Sequence, residues 1–350
     1  MKQNLVRQRN LVRQRNLVRP RVVCAAVTGI LVLLTLISLT VGSYPLSLRE
    51  IADSFGDMLV PRAEQPMPSR VFWGLRFPRT FTALFSGMIL GLCGGVYQMI
   101  FRSPLASPDL TGIASGASFG AALAIVWGMG SSFVRMGFAF AGGMLSLLLV
   151  LLLVRAAGGE RTGIYILAGI VISSSADAGL MILKTLADPE RQLAAIDFWT
   201  MGSLAAVSSE KAVPLAVLAL PAVLLLLLFR RPVTMLSLGG DECRAMGLSP
   251  NAWRTILLSL ATLAVSASAA VTGTIGFVGL TAPHIARLLY GRRSGMYLPL
   301  CTILGGILLL AADLAARTIG GGAELPVSIF TVAAGVPVLI VLLCRKGGRT

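Results

Sequence analysis

Ten apolar runs punctuate this chain, at about 22–42, 78–101, 108–128, 134–154, 163–184, 212–229, 252–272, 276–290, 297–316 and 326–344. A helix that crosses a bilayer needs about 20 mostly apolar residues. In hydrocarbon such a run satisfies its backbone polar groups by coiling on itself. The expected fold is therefore an all-α polytopic membrane protein of about ten transmembrane helices. The 108–128 and 276–290 runs are short or interrupted by Gly and Pro. Composition agrees: 55% of residues are hydrophobic and 13% charged, against about 45–50% and about 25% in soluble domains. Little sequence remains for a soluble domain. Many of the 38 glycines fall inside apolar runs, as in closely packed membrane helices.

Charge sets the expected orientation. Residues 4–9 read NLVRQR, 10–15 repeat it and 16–21 read NLVRPR, so the 1–21 extension is basic with no acidic residue. The apolar run that follows is too long for a typical signal-peptide core. With the N-terminus inside and an even number of spans, the C-terminus is inside as well. Twenty of the 30 Lys+Arg then fall on the inner side, as the positive-inside rule requires. The net charge of +15 sits between apolar runs, where it meets anionic lipid headgroups, so no nucleic-acid partner is expected. The organisation read is a cytoplasmic extension over 1–21 and a transmembrane domain over 22–346. Long outer segments span 43–77 and 185–211, the first with a surface helix at Ser47–Leu59. The longest inner loop spans 230–251.

Catalytic chemistry is missing. There is no GxxxxGK[ST] phosphate-binding loop, and His284 is the sole histidine, which excludes an HExxH zinc site. The five cysteines form no CxxC pair. No metal site and no enzymatic activity are expected. Ionisable residues within the runs are few: Asp177, Lys184, Asp313 and Arg317. Each would be costly against lipid, so each is expected to face protein or a pathway. Asp313 and Arg317 stand four residues apart, the spacing of an ion pair on one helix face.

Three stretches stand out. Residues 75–79 read LRFPR. Residues 86–98 read SGMILGLCGGVYQ, followed at 102–117 by RSPLASPDLTGIASGA. Residues 273–287 read GTIGFVGLTAPHIAR, with AADLAAR at 311–317 and AELPV at 323–327. Together they resemble the FecCD family, permease subunits of ABC importers for ferric siderophores, haem and cobalamin, over about residues 22–346. The chain departs from the family pattern at Ser103, where Asn is usual, at Ser107, where an acid is common, and at Ser328, where Gly is common.

The resemblance implies a cobalamin/siderophore-type permease in a bacterial cytoplasmic membrane, moving a metal-organic chelate inward by alternating access. It implies a second permease subunit, two separate ATPase subunits that use the ATP, and an extracytoplasmic substrate-binding protein. By motif position Arg76, Arg79 and Arg317 would meet acidic residues of that binding protein. The family's ATPase-coupling segment corresponds to Leu238, Gly239, Gly240, Asp241, Glu242, Arg244, Ala245, Met246 and Gly247. Many relatives carry an acid at the position of Gly240; here the acids follow it. This chain itself would bind no cofactor. The alternative is a proton- or sodium-coupled secondary transporter, with Asp177 or Asp313 as proton relay.

Overall fold

The computed structural model describes residues 20–42, 44–61, 64–158, 162–290, 295–319 and 325–347. The repeats within 1–19, and Ala323 and Glu324 of the AELP motif, lie outside the described residues. In chain order the helices are α1 (Pro20–Thr40), α2 (Leu48–Gly56), α3 (Met67–Val71), α4 (Phe77–Ile100), α5 (Ile113–Val126), α6 (Ser132–Ala156), α7 (Thr162–Leu186) and α8 (Ala194–Thr200). There follow α9 (Ser209–Leu228), α10 (Arg230–Leu236), α11 (Gly240–Ala245), α12 (Pro250–Thr272), α13 (Val278–Tyr290), α14 (Tyr297–Ile319) and α15 (Val327–Gly347).

Each of the ten apolar runs lies on a helix. Seven helical stretches are long and apolar enough to cross a membrane, while Ile113–Val126 and Val327–Ile340 are shorter apolar helices. The second run is longer than its hydropathy suggested. A π-helical turn at Phe72–Arg76 joins α3 to α4, so one helical stretch runs from Met67 to Ile100. Aromatic rings step along it from Trp73 to Phe77, Phe81 and Phe85, with centroids 5.1, 6.2 and 5.6 Å apart.

This stretch is the core of the bundle: 89% of its apolar window is buried, against 11% for α1 and 17% for α7. Its partner is α14. Gly87 and Gly91 face Gly305 and Cys301 so closely that a methyl on any of the three glycines would enter the facing backbone. Small residues allow such approach, and dispersion between the backbones holds the pair. The glycine-rich 86–95 stretch is therefore packing surface.

Two segments abandon helix inside the bundle. After α4, Arg102 turns the chain in a left-handed conformation (φ 52°). Residues 103–112 then fold back until the Leu110 carbonyl abuts Gly169 and Gly112 abuts Ser173. Those contacts lie roughly 10–16 Å along α7 at about 1.5 Å per residue. The second break, 273–277, separates α12 from α13 and ends on Phe277 (φ 67°), whose ring packs over Gly335 of α15. Irregular backbone at this depth is tolerated only in protein or beside a cavity. These breaks explain why the third and eighth runs are short helices of 14 and 13 residues.

The surface helix expected at 47–59 is α2 with a 3-10 turn at Asp57–Leu59. Ser47 caps it: its amide and hydroxyl donate to the Glu50 carboxylate at 2.8 and 2.7 Å, and the Glu50 amide donates back at 3.2 Å. Those bonds hold the Glu50 carboxyl below the usual carboxylate range. Of its apolar stripe only Ile51 is buried; Leu48, Phe55 and Leu59 remain exposed. The 230–251 segment is less of a loop than expected, because Arg230–Leu236 is helical.

Candidate functional site

The three arginines singled out by motif position meet at one end of the bundle, where the C-termini of α1 and α14 adjoin the N-terminus of α4. Asp313, on the penultimate turn of α14, accepts from Arg79 Nε at 2.9 Å and pairs with Arg317 Nε at 3.3 Å. The carboxylate is 0% exposed, and the two arginine side chains only 11% and 4%. The i,i+4 pair expected on one helix is thus a bridge between two helices. Arg317 also donates to the Ser38 carbonyl and hydroxyl (3.0 and 2.6 Å) and to the Val41 carbonyl (3.2 Å). Arg76 donates to the Val41 carbonyl at 2.8 Å and the Tyr44 carbonyl at 3.2 Å. Its guanidinium lies against Gly42, in the space that a Cβ there would take.

Two arginines therefore occupy carbonyls at the C-terminus of α1 that no further turn satisfies, where cations are favoured by the helix dipole. With the Ser38–Thr80 hydroxyl contact at 2.9 Å, they tie a helix that is otherwise barely buried. Three guanidinium groups against one carboxylate leave the cluster net positive. A hollow of about 240 Å³ adjoins it, lined by all three arginines together with Tyr44, Leu75 and Val207.

The 238–247 segment, for which the family resemblance implies ATPase coupling, lies at the opposite end. Ser209, at the start of α9, donates to the Trp73 carbonyl near the arginine cluster. The 20 residues of α9 then carry the chain about 30 Å away before α10 and α11 begin. Cys243 anchors α11 with 0% exposure, while Leu238 and Met246 are exposed at 40% and 44%. Asp241 and Arg244 are exposed and pair at 3.5 Å. The helix closes on Gly247 (φ 79°): the Gly247 amide donates to Arg244 O at 2.9 Å and the Leu248 amide to Cys243 O at 3.0 Å. This is the Schellman geometry, which wants glycine at its left-handed position. Gly239 packs against the Glu242 carboxylate, and Gly240 opens the helix.

The second and third motif stretches meet as well, a contact that sequence reading did not foresee. Gly94 of α4 lies against the Gly279 backbone of α13. One turn on, Gln98 Nε2 sits 3.3 Å from His284 Nδ1, which is 2.7 Å from the Leu280 carbonyl. Tyr97 Oη contacts Thr111 Oγ1 at 3.0 Å and Thr262 Oγ1 at 3.4 Å, clasping the re-entrant segment to α12. The two broken segments share a hollow of about 180 Å³, lined by Leu90, Asp109, Ser268, Thr272 and Thr274 among others. Lys184 pairs with Asp197 at 2.7 Å. No cluster of three or more His, Cys, Asp or Glu suited to a metal occurs among the described residues.

Comparison with known proteins decides the family. The sequence pattern of the FecCD transport family matches residues 30–345. The chain belongs to the FecCD transport family. Members with curated descriptions include the molybdate import system permease of Haemophilus influenzae, 33% identical over 92% of this chain and 96% of that one. The vitamin B12 import system permease of Escherichia coli O6:H1 is 34% identical over 83% and 87%. A solved structure described as an inward-facing ABC transporter of metal-chelate type superposes with a TM-score of 0.79 at 33% identity, over 91% of this chain and 97% of that one. FecCD proteins are transport subunits and not catalysts, and this chain is a multi-pass helical membrane protein.

Proposed function

We propose that this chain is the permease subunit of an ATP-driven ABC importer in a bacterial cytoplasmic membrane, with about ten crossings and both termini inside. Two such subunits would enclose a pathway, with two ATPase subunits on the inner face and a substrate-binding protein outside. The cargo in this reading is a ferric siderophore or a related metal-organic chelate. Loaded binding protein docks at Arg76, Arg79 and Arg317. ATP-driven closure of the ATPases acts on the 238–247 segment and switches which end of the pathway is open. Such switching needs each partner to favour one state over the other.

The observation that carries this reading is the polarity of the bundle. A net-positive cluster lies at one end, and an exposed helix flanked by Leu238 and Met246 lies about 30 Å away at the other. The first suits acidic side chains, which add on-rate and orientation; the second suits an apolar cleft on a moving partner. The proton- or sodium-coupled alternative is not favoured, because the relatives named above are import-system permeases and an ABC transporter.

The test is reconstitution in proteoliposomes with the ATPase and binding protein encoded beside this chain. Uptake of a labelled ferric chelate is expected to require ATP and to survive collapse of proton and sodium gradients. Uptake that follows the gradients and ignores ATP would refute the reading. For docking, Arg79→Gln is compared with wild type alongside a thermal melt, because Arg79 also pairs with the buried Asp313. It is expected to slow association of the binding protein and weaken its salt dependence.

A further inference from the structure

The polar face of α7 is used by nothing described so far. Its buried side carries Tyr165, Ala168, Gly169 and Leu183. The opposite side is an exposed stripe from Gly163 to Leu186. That stripe is apolar near its ends, with Leu167, Ile170 and Val171 toward one and Met181, Ile182 and Leu186 toward the other. Its waist is not: Ser174, Ser175 and Asp177 are all exposed. At 100° per residue these three share one side of the helix. Ser174 lies at the midpoint of Thr162–Leu186, and Asp177 three residues beyond. At about 1.5 Å per residue that places the carboxylate within ~5 Å of the span's centre.

A carboxylate at this depth does not face acyl chains; it faces water or another protein surface. The exposed Ser174 and Ser175 in the turn before it suit water better than a dry interface, although the Ser175 hydroxyl also donates to the Val171 carbonyl at 2.8 Å. We infer that Asp177, with Ser174 and Ser175, forms a negatively charged waist of the transport pathway, which admits cationic or neutral cargo and rejects oxyanions. The inference rests on the importer reading above and narrows its substrate class. A two-fold assembly of identical chains presents every feature twice, so two carboxylates flank the path. Charged rings of one sign select permeating species by sign. Among the kinds of cargo that FecCD relatives carry by name, molybdate is the one such a waist disfavours.

The experiment uses the full importer complex in proteoliposomes, with the native cysteines of this chain replaced and Ser174→Cys as reporter. Water-soluble methanethiosulfonates of opposite charge, one trimethylammonium and one sulfonate, are the probes. The reporter is expected to react with both, faster with the cation. Asp177→Asn in the same background is expected to lower the cation-to-anion rate ratio about five- to tenfold, the effect of one carboxylate a helical turn away in water. The wild-type complex is expected not to concentrate labelled molybdate. A reporter inert to both probes, a rate ratio unmoved by Asp177→Asn, or ATP-driven molybdate accumulation by the wild type would overturn the inference. Failure of the importer reading looks different: no ATP-dependent transport in a complex whose reporter keeps its charge preference.

Discussion

Replacing Asp313 with Asn tests whether the buried ion cluster holds the arginine end together. The side chain keeps its shape and loses its charge, and Arg79 and Arg317 lose the counter-ion they share at 2.9 and 3.3 Å. At an effective dielectric of about 20, each pair is worth roughly 5–6 kcal/mol of gross attraction. Desolvation of three nearly buried groups offsets much of that sum. Removing one partner from such a cluster nevertheless costs about 3–5 kcal/mol, because the remaining charges stay buried. For a chain of this size that corresponds to a fall of roughly 4–7 °C in melting temperature. The assay is thermal unfolding in detergent followed with a thiol-reactive fluorophore. Cys93 and Cys301 are fully buried and report unfolding, while half-buried Cys24 and exposed Cys344 are changed to Ser to remove background. Adding Arg79→Met to Asp313→Asn should recover part of the loss, since one buried cation then goes as well. A melt for Asp313→Asn within about 1 °C of wild type, or a double variant no better than the single, would refute the argument.

Two further outcomes follow from backbone geometry. Gly91→Leu should cost about 3 kcal/mol or more in the same melt, because the side chain meets the Cys301 carbonyl and the Gly305 backbone. Gly137→Leu on α6 has nothing within 4 Å and should be neutral or slightly stabilising from helix propensity; equal losses at both sites would refute the packing account. Gly247→Val should strain the left-handed turn by about 1–2 kcal/mol. It should speed hydrogen exchange at the Gly247 and Leu248 amides, which donate to Arg244 and Cys243; unchanged exchange there would count against it.

Much of the bundle is legible from hydropathy, because lipid allows so few backbone solutions. Each of the ten apolar runs contains a helix, and the Asp313–Arg317 spacing announces their pairing. Other features depend on distances that a linear reading lacks. Arg79 reaches Asp313 across 234 residues, and nothing in LRFPR names that carboxylate. The breaks at 103–112 and 273–277 are visible only as Pro- and Gly-rich stretches; how deeply the first re-enters is set by Gly169, on another helix. The 230–251 segment read as loop because its charges and glycines mask the seven-residue helix Arg230–Leu236. The surface helix matches its expected extent, yet its apolar stripe gives no sign that Ile51 alone is buried.

The ties between the arginines and α1 carry a thermodynamic obligation. Arg76 and Arg317 both spend donors on the Val41 carbonyl, so any acid that draws those guanidinium groups toward the hollow weakens the grip on the first helix. Linkage runs both ways: the free energy by which docking loosens α1 equals that by which a loosened α1 favours docking. If the binding protein docks at these arginines as proposed, the first helix is a lever with its fulcrum at that end, and a substitution on its exposed side, far from the arginines, is read out as a change in partner affinity.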